Sequence, residues 1–477
     1  LSEKERVLLR CQVAADLTHA GRYEDAREAL GEFWRGIGER PGVERMPPDV
    51  AAEVLLQCGT LTGRLGAAEN VSGAQEQAKD LLAESIRVFQ SLGNYQKASE
   101  AQGELGACYW RLGAHDDARV VMREALQPLA ESDVELKARI HIRRTLVEIS
   151  ENRHHDALDI LKEAEPVFQS ANDALKGRWH GQKGLILRRL GTSEGRADYF
   201  DSAIIEYTAA IYHFDRAKHE RYSATNQNNL AFLLYKLGRY RDAHEHLDRA
   251  SAALFRLKDA GLLAQVDETR ARVFIAEKKY GEASRVITRA IQTFEQSGKS
   301  ALLAEALTVQ GVAWARMGAF EVSVKVLRRA ADIAEDVGAL TAAGLAAVTL
   351  IEEHGANRPL SQLQVYKAYL RADRLLRDTQ DAEDIARLRE CARIVIRRLA
   401  GLQLRDKNFS YHGAVTEFEA RLIEQALEDA DGSVAGAARL LGLPRQTLES
   451  ILKTRHKKLQ AKRTSSEKRR RSIIKDE

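Results

Sequence analysis

The chain has 477 residues, with 73 Lys and Arg against 69 Asp and Glu and only 7 Pro beside 32 Gly. That length exceeds what one compact core fills, so several domains or a stacked array are expected, and the scarcity of Pro points to helices. Charged residues make up 30%, and no run approaches the ~20 apolar residues that span a bilayer, which excludes a helical membrane protein. Four cysteines (Cys11, Cys58, Cys108, Cys391) lie far apart without a CxxC pair, so neither disulfides nor a cysteine zinc site is expected. The first residues lack the charged-then-apolar pattern of a signal peptide, and a reducing, cytoplasmic setting is the expectation. The chain begins at Leu1 rather than Met, so residues upstream stay open. Its charge is uneven: residues 453–477 hold 11 Lys and Arg against 3 Asp and Glu, whereas residues 1–452 sum to −4.

From the N-terminus, one motif recurs. Ala20-Gly-Arg-Tyr-Glu-Asp-Ala26 returns as Leu112-Gly-Ala-His-Asp-Asp-Ala118 and as Leu237-Gly-Arg-Tyr-Arg-Asp-Ala243. Weaker copies end at Ala157, Ala283 and Ser323, and two more, ending at Ala78 and Ala203, carry a connection longer by seven residues. With those insertions removed, successive anchors are 45, 40, 39, 39, 40, 40 and 40 residues apart. A small residue stands twelve before the anchor (Gly106, Ala231, Ala271, Gly311) and a large one four after it (Met122, Leu247, Ile287, Leu327). Small residues let two helices cross closely, and the large one fills the gap left between them. The unit is therefore helix A, tight Gly turn, helix B. It resembles the tetratricopeptide repeat, stretched to about 40 residues, and the resemblance covers residues 1–336 as about eight copies. It implies a right-handed superhelical solenoid.

Residues 337–400 stay helical without the motif, with helices expected at Thr341–Glu353, Leu360–Arg377 and Asp381–Leu399, as a cap on the open end of an array. Residues 401–412 read as a linker because their apolar periodicity lapses. Thr416 and Glu419 have the spacing of a capping box, and the helix they open is expected to bury Leu422, Ile423, Ala426 and Leu427. Asp431-Gly432 ends it. Ser433 caps a second helix to Leu441, and Pro444 suits the first turn of a third through Thr447, Leu448, Ile451 and Leu452. Two short helices joined by a Gly turn make a helix-turn-helix. Residues 413–458, through Ala437-Ala438, Leu441-Gly442 and Arg445-Gln-Thr-Leu448, resemble the Fis-type DNA-binding domain of bacterial regulators.

That resemblance implies double-stranded DNA as partner, with Arg445 and Thr447 facing it and Gln446 and Ser450 on the same helix. Ser433 stands where the family usually has a phosphate-contacting Asn, and Ser450 where it often has a basic residue. A homodimer paired through Thr416–Ala430 is likewise implied. Lys453, Arg455, Lys457 and Lys458 continue from the third helix into the basic tail of residues 459–477, a phosphate-binding run that a merely solvated tail would also explain.

If helix A lines the inner surface of the solenoid, groove positions can be counted from its small residue. They include Arg139, Arg143, Arg178, Gln182, Arg188, Arg189, Asn228, Asn229, Tyr235, Lys236, Arg272 and Arg316. Basic groups and amides dominate, which fits an acidic or C-terminal-carboxylate peptide, against the plain reading of a solvated face.

Other motifs fail. Gly298-Lys-Ser300 ends like a phosphate-binding loop, but Thr293 takes the place of its first Gly and no strand precedes it. His244 and His246, two apart on a helix, point in different directions. His154-His155-Asp156 takes the place of the turn aromatic. No catalytic residue, metal site or cofactor is expected, and the chain does not read as an enzyme. The sequence thus implies an all-α, tetratricopeptide-like superhelical solenoid with a C-terminal helix-turn-helix, acting as a bacterial, cytoplasmic transcription regulator that is nucleoid-associated when bound to DNA. A scaffold tethered to DNA by its basic end and a peptide-sensing receptor are the alternatives.

Overall fold

The structure, a computed structural model, describes residues 2–19, 21–69, 71–355, 360–379, 381–399 and 411–462. The expected linker therefore lies outside the described residues except for its last two positions, and so does the tail from Arg463 onward.

Helices follow one another in pairs. They are α1 (Glu3–His19) and α2 (Tyr23–Leu30), α3 (Pro48–Glu69) and α4 (Ala74–Ser91), α5 (Tyr95–Arg111) and α6 (His115–Glu124), then α7 (Val134–Ser150) with α8 (His154–Glu163) and the short α9 (Glu165–Ser170). After these come α10 (Asp173–Glu194) and α11 (Ala197–Arg216), α12 (Glu220–Lys236) and α13 (Tyr240–Arg256), α14 (Ala260–Ala276) and α15 (Tyr280–Gln296), then α16 (Ser300–Arg316) and α17 (Phe320–Asp336). No strand occurs among the described residues. The chain forms two compact units, residues 1–309 with 380–383 and residues 310–379 with 384–477.

The spacing pattern is explained by packing. A Cβ added to Gly106 on α5 would lie 2.5 Å from Met122 Cγ on α6, and one on Gly311 would lie 2.5 Å from Leu327 Cγ on α17. Along α13 the buried residues are Ala243, Leu247, Ala250 and Leu254, one stripe at helical spacing. The seven-residue insertions do not make longer connections. They mostly lengthen helix A itself: α3 and α10 run 22 residues where α5, α7, α12 and α14 run 17. The longer first spacing is taken up by the segment after α2, whose Trp34 and Val43 are buried.

Turns repeat at half the period. Lys218, Gly238, Lys258, Lys278, Gly298, Gly318 and Gly338 all have φ between 54° and 83°. Each sits after a helix whose end is closed by a bond from the next amide, as in Arg239 N–H to Leu234 O at 2.8 Å and Lys279 N–H to Phe274 O at 2.8 Å. Connections from B to A are thus built like those from A to B. Gly298 belongs to this series and not to a phosphate loop.

In the second unit, α18 (Leu340–His354), α19 (Gln362–Leu375) and α20 (Ala382–Leu399) follow the expected bounds closely. They share a core with Val324 and Leu327. A capping box stands at Ser361 and Gln364, before α19. The one expected at Thr416 and Glu419 does not form, because α21 (Tyr411–Asp429) begins earlier and carries both residues inside it. α22 (Val434–Leu440) and α23 (Arg445–Thr454) complete the C-terminal domain, with Pro444 at the cap position before α23, outside its first turn. A 3₁₀ segment, Lys457–Lys462, follows.

Candidate DNA interface and ligand groove

The C-terminal helices share one small core: Ile423, Ala426 and Leu427 from α21, Val434, Ala437 and Ala438 from α22, and Leu448, Ile451 and Leu452 from α23. Asp431 and Gly432, at φ 48° and 76°, end α21. Ser433 then caps α22, its hydroxyl oxygen accepting from the Gly436 amide at 3.2 Å. The Gly442 turn, at φ 63°, is closed by Leu443 N–H to Ala438 O at 2.9 Å. Leu422 departs from expectation. It is 46% exposed, because it belongs to a different face of α21, where it aligns with Val415 (48%) and Phe418 (52%).

With Leu448, Ile451 and Leu452 turned inward, α23 presents Gln446, Ser450 and Lys453 on the opposite side, one turn apart, all exposed. Thr447 and Arg445 are exposed on the flanks of that row. Arg445 donates from Nε to Glu449 Oε1 at 2.9 Å. Lys457 and Lys458 are exposed beyond the helix. Arg455 differs from the other cations: its Nη1 donates to Glu419 at 2.9 and 3.1 Å, and His456, buried at 7% exposure, places Nε2 2.9 Å from the same carboxylate. Glu419 therefore fastens the end of α23 to α21, a role that the capping-box reading missed.

Groove residues divide between two cavities. The first, of about 170 Å³, is lined by Arg139, Arg143 and Arg178 together with His19, Arg64 and Arg111. Arg139 donates to His19 Nε2 at 3.2 Å, so one side chain of the seventh helix reaches one of the first. Arg64 and Arg143 both donate to Glu104. Burial would raise the Glu104 carboxyl, but these two guanidiniums, with His19 and Arg111 behind them, hold it well below the ordinary carboxylate range. Arg178 lies 4.8 Å over the Tyr222 ring and donates to its hydroxyl at 3.0 Å.

The second cavity, of about 200 Å³, brings together Arg188, Asn228, Asn229 and Phe232 with Glu268 and Glu305. Burial and the neighbouring Glu268 raise the Glu305 carboxyl. The buried Nε of Arg188 and Oδ1 of Asn228 have no hydrogen-bond partner among the described residues.

The remaining candidates make internal contacts. Lys236 pairs with Glu383 at 2.7 Å, Arg272 with Glu268, and Arg316 with Glu353 at 2.9 Å. Gln182 and Arg189 donate to the Ile142 and Ile149 carbonyls, and Tyr235 packs edge-on against Phe232. The groove is thus not evenly basic. Guanidiniums gather at its N-terminal end, and amides with two carboxylates gather further along.

The histidines set aside in the sequence have separate partners. His244 Nε2 meets Glu277 at 3.0 Å, His246 Nδ1 meets Gln227, and His155 Nε2 meets Glu194 at 2.6 Å. Among the described residues no three His, Cys, Asp or Glu side chains gather where an ion would be held, and no helix is long and apolar enough to cross a membrane.

Residues 414–450 match the family described as bacterial regulatory protein, Fis family. No curated protein matches the chain in sequence. Among solved structures, a signal-transduction ATPase of the STAND class with a tetratricopeptide repeat sensor, from Pyrococcus horikoshii, aligns over 78% of this chain at 14% identity and TM-score 0.50. The chain spans 57% of that protein's length. A Rap protein complexed with competence and sporulation factor aligns over 83% of this chain and 99% of its own at 13% identity and TM-score 0.48. Yeast Tom70 aligns over 84% of each chain at 12% identity and TM-score 0.45. The chain therefore joins a tetratricopeptide-type helical-hairpin array to a C-terminal Fis-type helix-turn-helix.

Proposed function

We propose that the chain is a transcription regulator that reads DNA through α23 and takes a protein or peptide partner in the groove of its repeats. One observation carries the DNA reading: the row Gln446, Ser450 and Lys453, flanked by Arg445 and Thr447, is the fully exposed side of a helix whose other side is locked into the domain core. A helix held this way presents a fixed set of donors and acceptors to base edges in the major groove, while Lys453, Lys457 and Lys458 engage phosphates. Nothing in this role requires catalysis, and we assign none.

The exposed stripe Val415, Phe418 and Leu422 on α21 supports a homodimer in which a second copy covers it. Two recognition helices would then address half-sites about one helical turn apart. Such a protein works in the bacterial cytoplasm, associated with the nucleoid while bound.

Selection of bound fragments from random DNA, at stated salt, tests the reading. A shared, two-fold symmetric sequence that is lost with Arg445→Ala plus Thr447→Ala supports it; recovery of unrelated fragments sinks it. The tethered scaffold is favoured by one feature, the 11 Lys and Arg from residue 453 onward. It requires binding that ignores the α23 changes and disappears on removal of residues 453–477.

A further inference from the structure

The cavity at the N-terminal end of the groove holds more positive charge than the protein itself neutralises. Of the six guanidiniums that line it, Arg178 stacks on Tyr222 and Arg221 pairs with Asp259, and the other four converge from three successive A helices: Arg64 from α3, Arg111 from α5, and Arg139 and Arg143 from α7. Glu104 is the carboxylate shared by Arg64 and Arg143. Arg111 lies 5.9 Å over the Trp110 ring and makes no ion pair with a described residue. Arg139 is spent on a neutral imidazole, since His19 Nε2 must accept its N–H. The buried Nε of Arg64 finds no hydrogen-bond partner among the described residues. Burial depresses the guanidiniums of Arg111 and Arg143, the direction expected of cations kept from water without enough counter-charge. A half-buried cluster whose charge is only partly neutralised is costly unless something fills it.

We propose that this cavity is a binding site for the phosphate group of a small molecule, an effector site distinct from the amide-and-carboxylate cavity further along the groove. Two features choose phosphate over a single carboxylate. These four guanidiniums exceed the one Glu104 carboxylate by three charges, and a phosphate ester brings close to two where a carboxylate brings one. The donors approach from three helices, which suits the three oxygens of a tetrahedral anion better than a planar pair. Guanidinium forks meet either kind of oxyanion in bidentate fashion, so the charge and the direction of approach decide. At about 170 Å³ the space takes one such group and leaves the rest of its carrier in the groove.

Isothermal titration and thermal unfolding of the full chain with pyrophosphate, inorganic phosphate, citrate and acetate, at matched ionic strength, test the assignment. Pyrophosphate and phosphate are expected to bind with one site per chain and to raise the melting temperature, citrate to do so more weakly despite its charge because its carboxylates are planar, and acetate to do neither. Arg111→Gln and Arg139→Gln are each expected to weaken pyrophosphate by about tenfold or more, the loss of a charge-assisted hydrogen bond. Without ligand, both variants should melt at or above the wild-type temperature, because each removes a repelled charge. A change at the exposed Arg285 of α15 should leave binding intact. Citrate binding as tightly as phosphate, no binding beyond acetate, or undiminished binding in both variants would each overturn the proposal, and the carboxylate probes need no variant to fold.

Discussion

Arg445, the first residue of α23, is held by Glu449 one turn further on, Nε to Oε1 at 2.9 Å. The side chain proposed to read a base is thus oriented along its helix before any DNA arrives. An acidic residue so close to phosphates also penalises indiscriminate binding, since it repels the backbone wherever Arg445 has no base to meet. Glu449→Ala should therefore raise affinity for random DNA and narrow the gap to the selected site. Arg445→Ala should cost about 1–3 kcal/mol at the selected site and relax preference at one base pair. Gel shifts with selected and scrambled duplexes at fixed salt measure both, and an unchanged affinity ratio in Glu449→Ala refutes the gating role.

The cations after α23 are not equivalent. All three are exposed, but Arg455 is engaged by Glu419, whereas Lys457 and Lys458 make no ion pair with a described residue. Neutralising Lys457 should lower the slope of log affinity against log salt by about 1, and Arg455→Ala should leave that slope nearly unchanged. Removing Glu419 itself leaves the buried His456 without its carboxylate. Glu419→Ala should lower the melting temperature of the C-terminal transition, by a loss of about 1–2 kcal/mol. A slope that falls equally in both cation variants would show that Arg455 leaves Glu419 to bind phosphate.

How much of this could be read from the sequence depends on the kind of contact. The helix pairs were legible because close packing forces Gly106 or Ala231 opposite Met122 or Leu247 at a fixed offset. The offsets that gave Arg139 and Arg143 also reach Arg64 five after Gly59, and Glu104 and Arg111 two before and five after Gly106. Extending the count to those earlier copies would have found the arginine cavity, and extending it to Glu268 and Glu305 would have shown the change of charge along the groove. Glu419 was out of reach. Its partners lie 36 and 37 residues away, and no periodicity connects them. Leu422 departs from expectation because an apolar residue near a buried stripe looks the same in sequence whether it faces the core or solvent.

The half-period of the turns was hidden for a different reason: Lys occupies the left-handed position at 218, 258 and 278 where Gly occupies it at 238, 298, 318 and 338. A side chain costs about 1–2 kcal/mol there relative to Gly. Lys278→Gly and Lys258→Gly should each move the denaturation midpoint upward, by about 1 kcal/mol after allowing for the greater freedom of Gly in the unfolded chain. Gly238→Ala should move it downward by a similar amount. Equal midpoints for Lys278→Gly and wild type would mean that the turn is relaxed around Lys by its neighbours.

Stability should also fall in mild acid. Burial, aided by Arg139, lowers His19 to about 4, and burial, aided by Arg144, lowers His141 to about 4. In the unfolded chain both imidazoles titrate near 6.5, so between about pH 6.5 and 4 the unfolded state binds more protons than the folded one. Unfolding free energy therefore rises with pH across that window and is lost as pH drops through it, by on the order of 2 kcal/mol for the buried His141 and by less for His19, which is exposed and screened by solvent. Asp267 and Glu305, raised by burial, work in the opposite sense, because the folded state keeps their protons longer as pH rises. Glu104, depressed by its guanidiniums, adds a further loss once pH falls below the ordinary carboxylate range. Urea midpoints from pH 7.5 to 4.5 should decline for the wild type and decline less for His141→Asn, which removes one imidazole without touching the arginine cavity. A His141→Asn profile parallel to wild type would place the acid sensitivity on carboxylates instead.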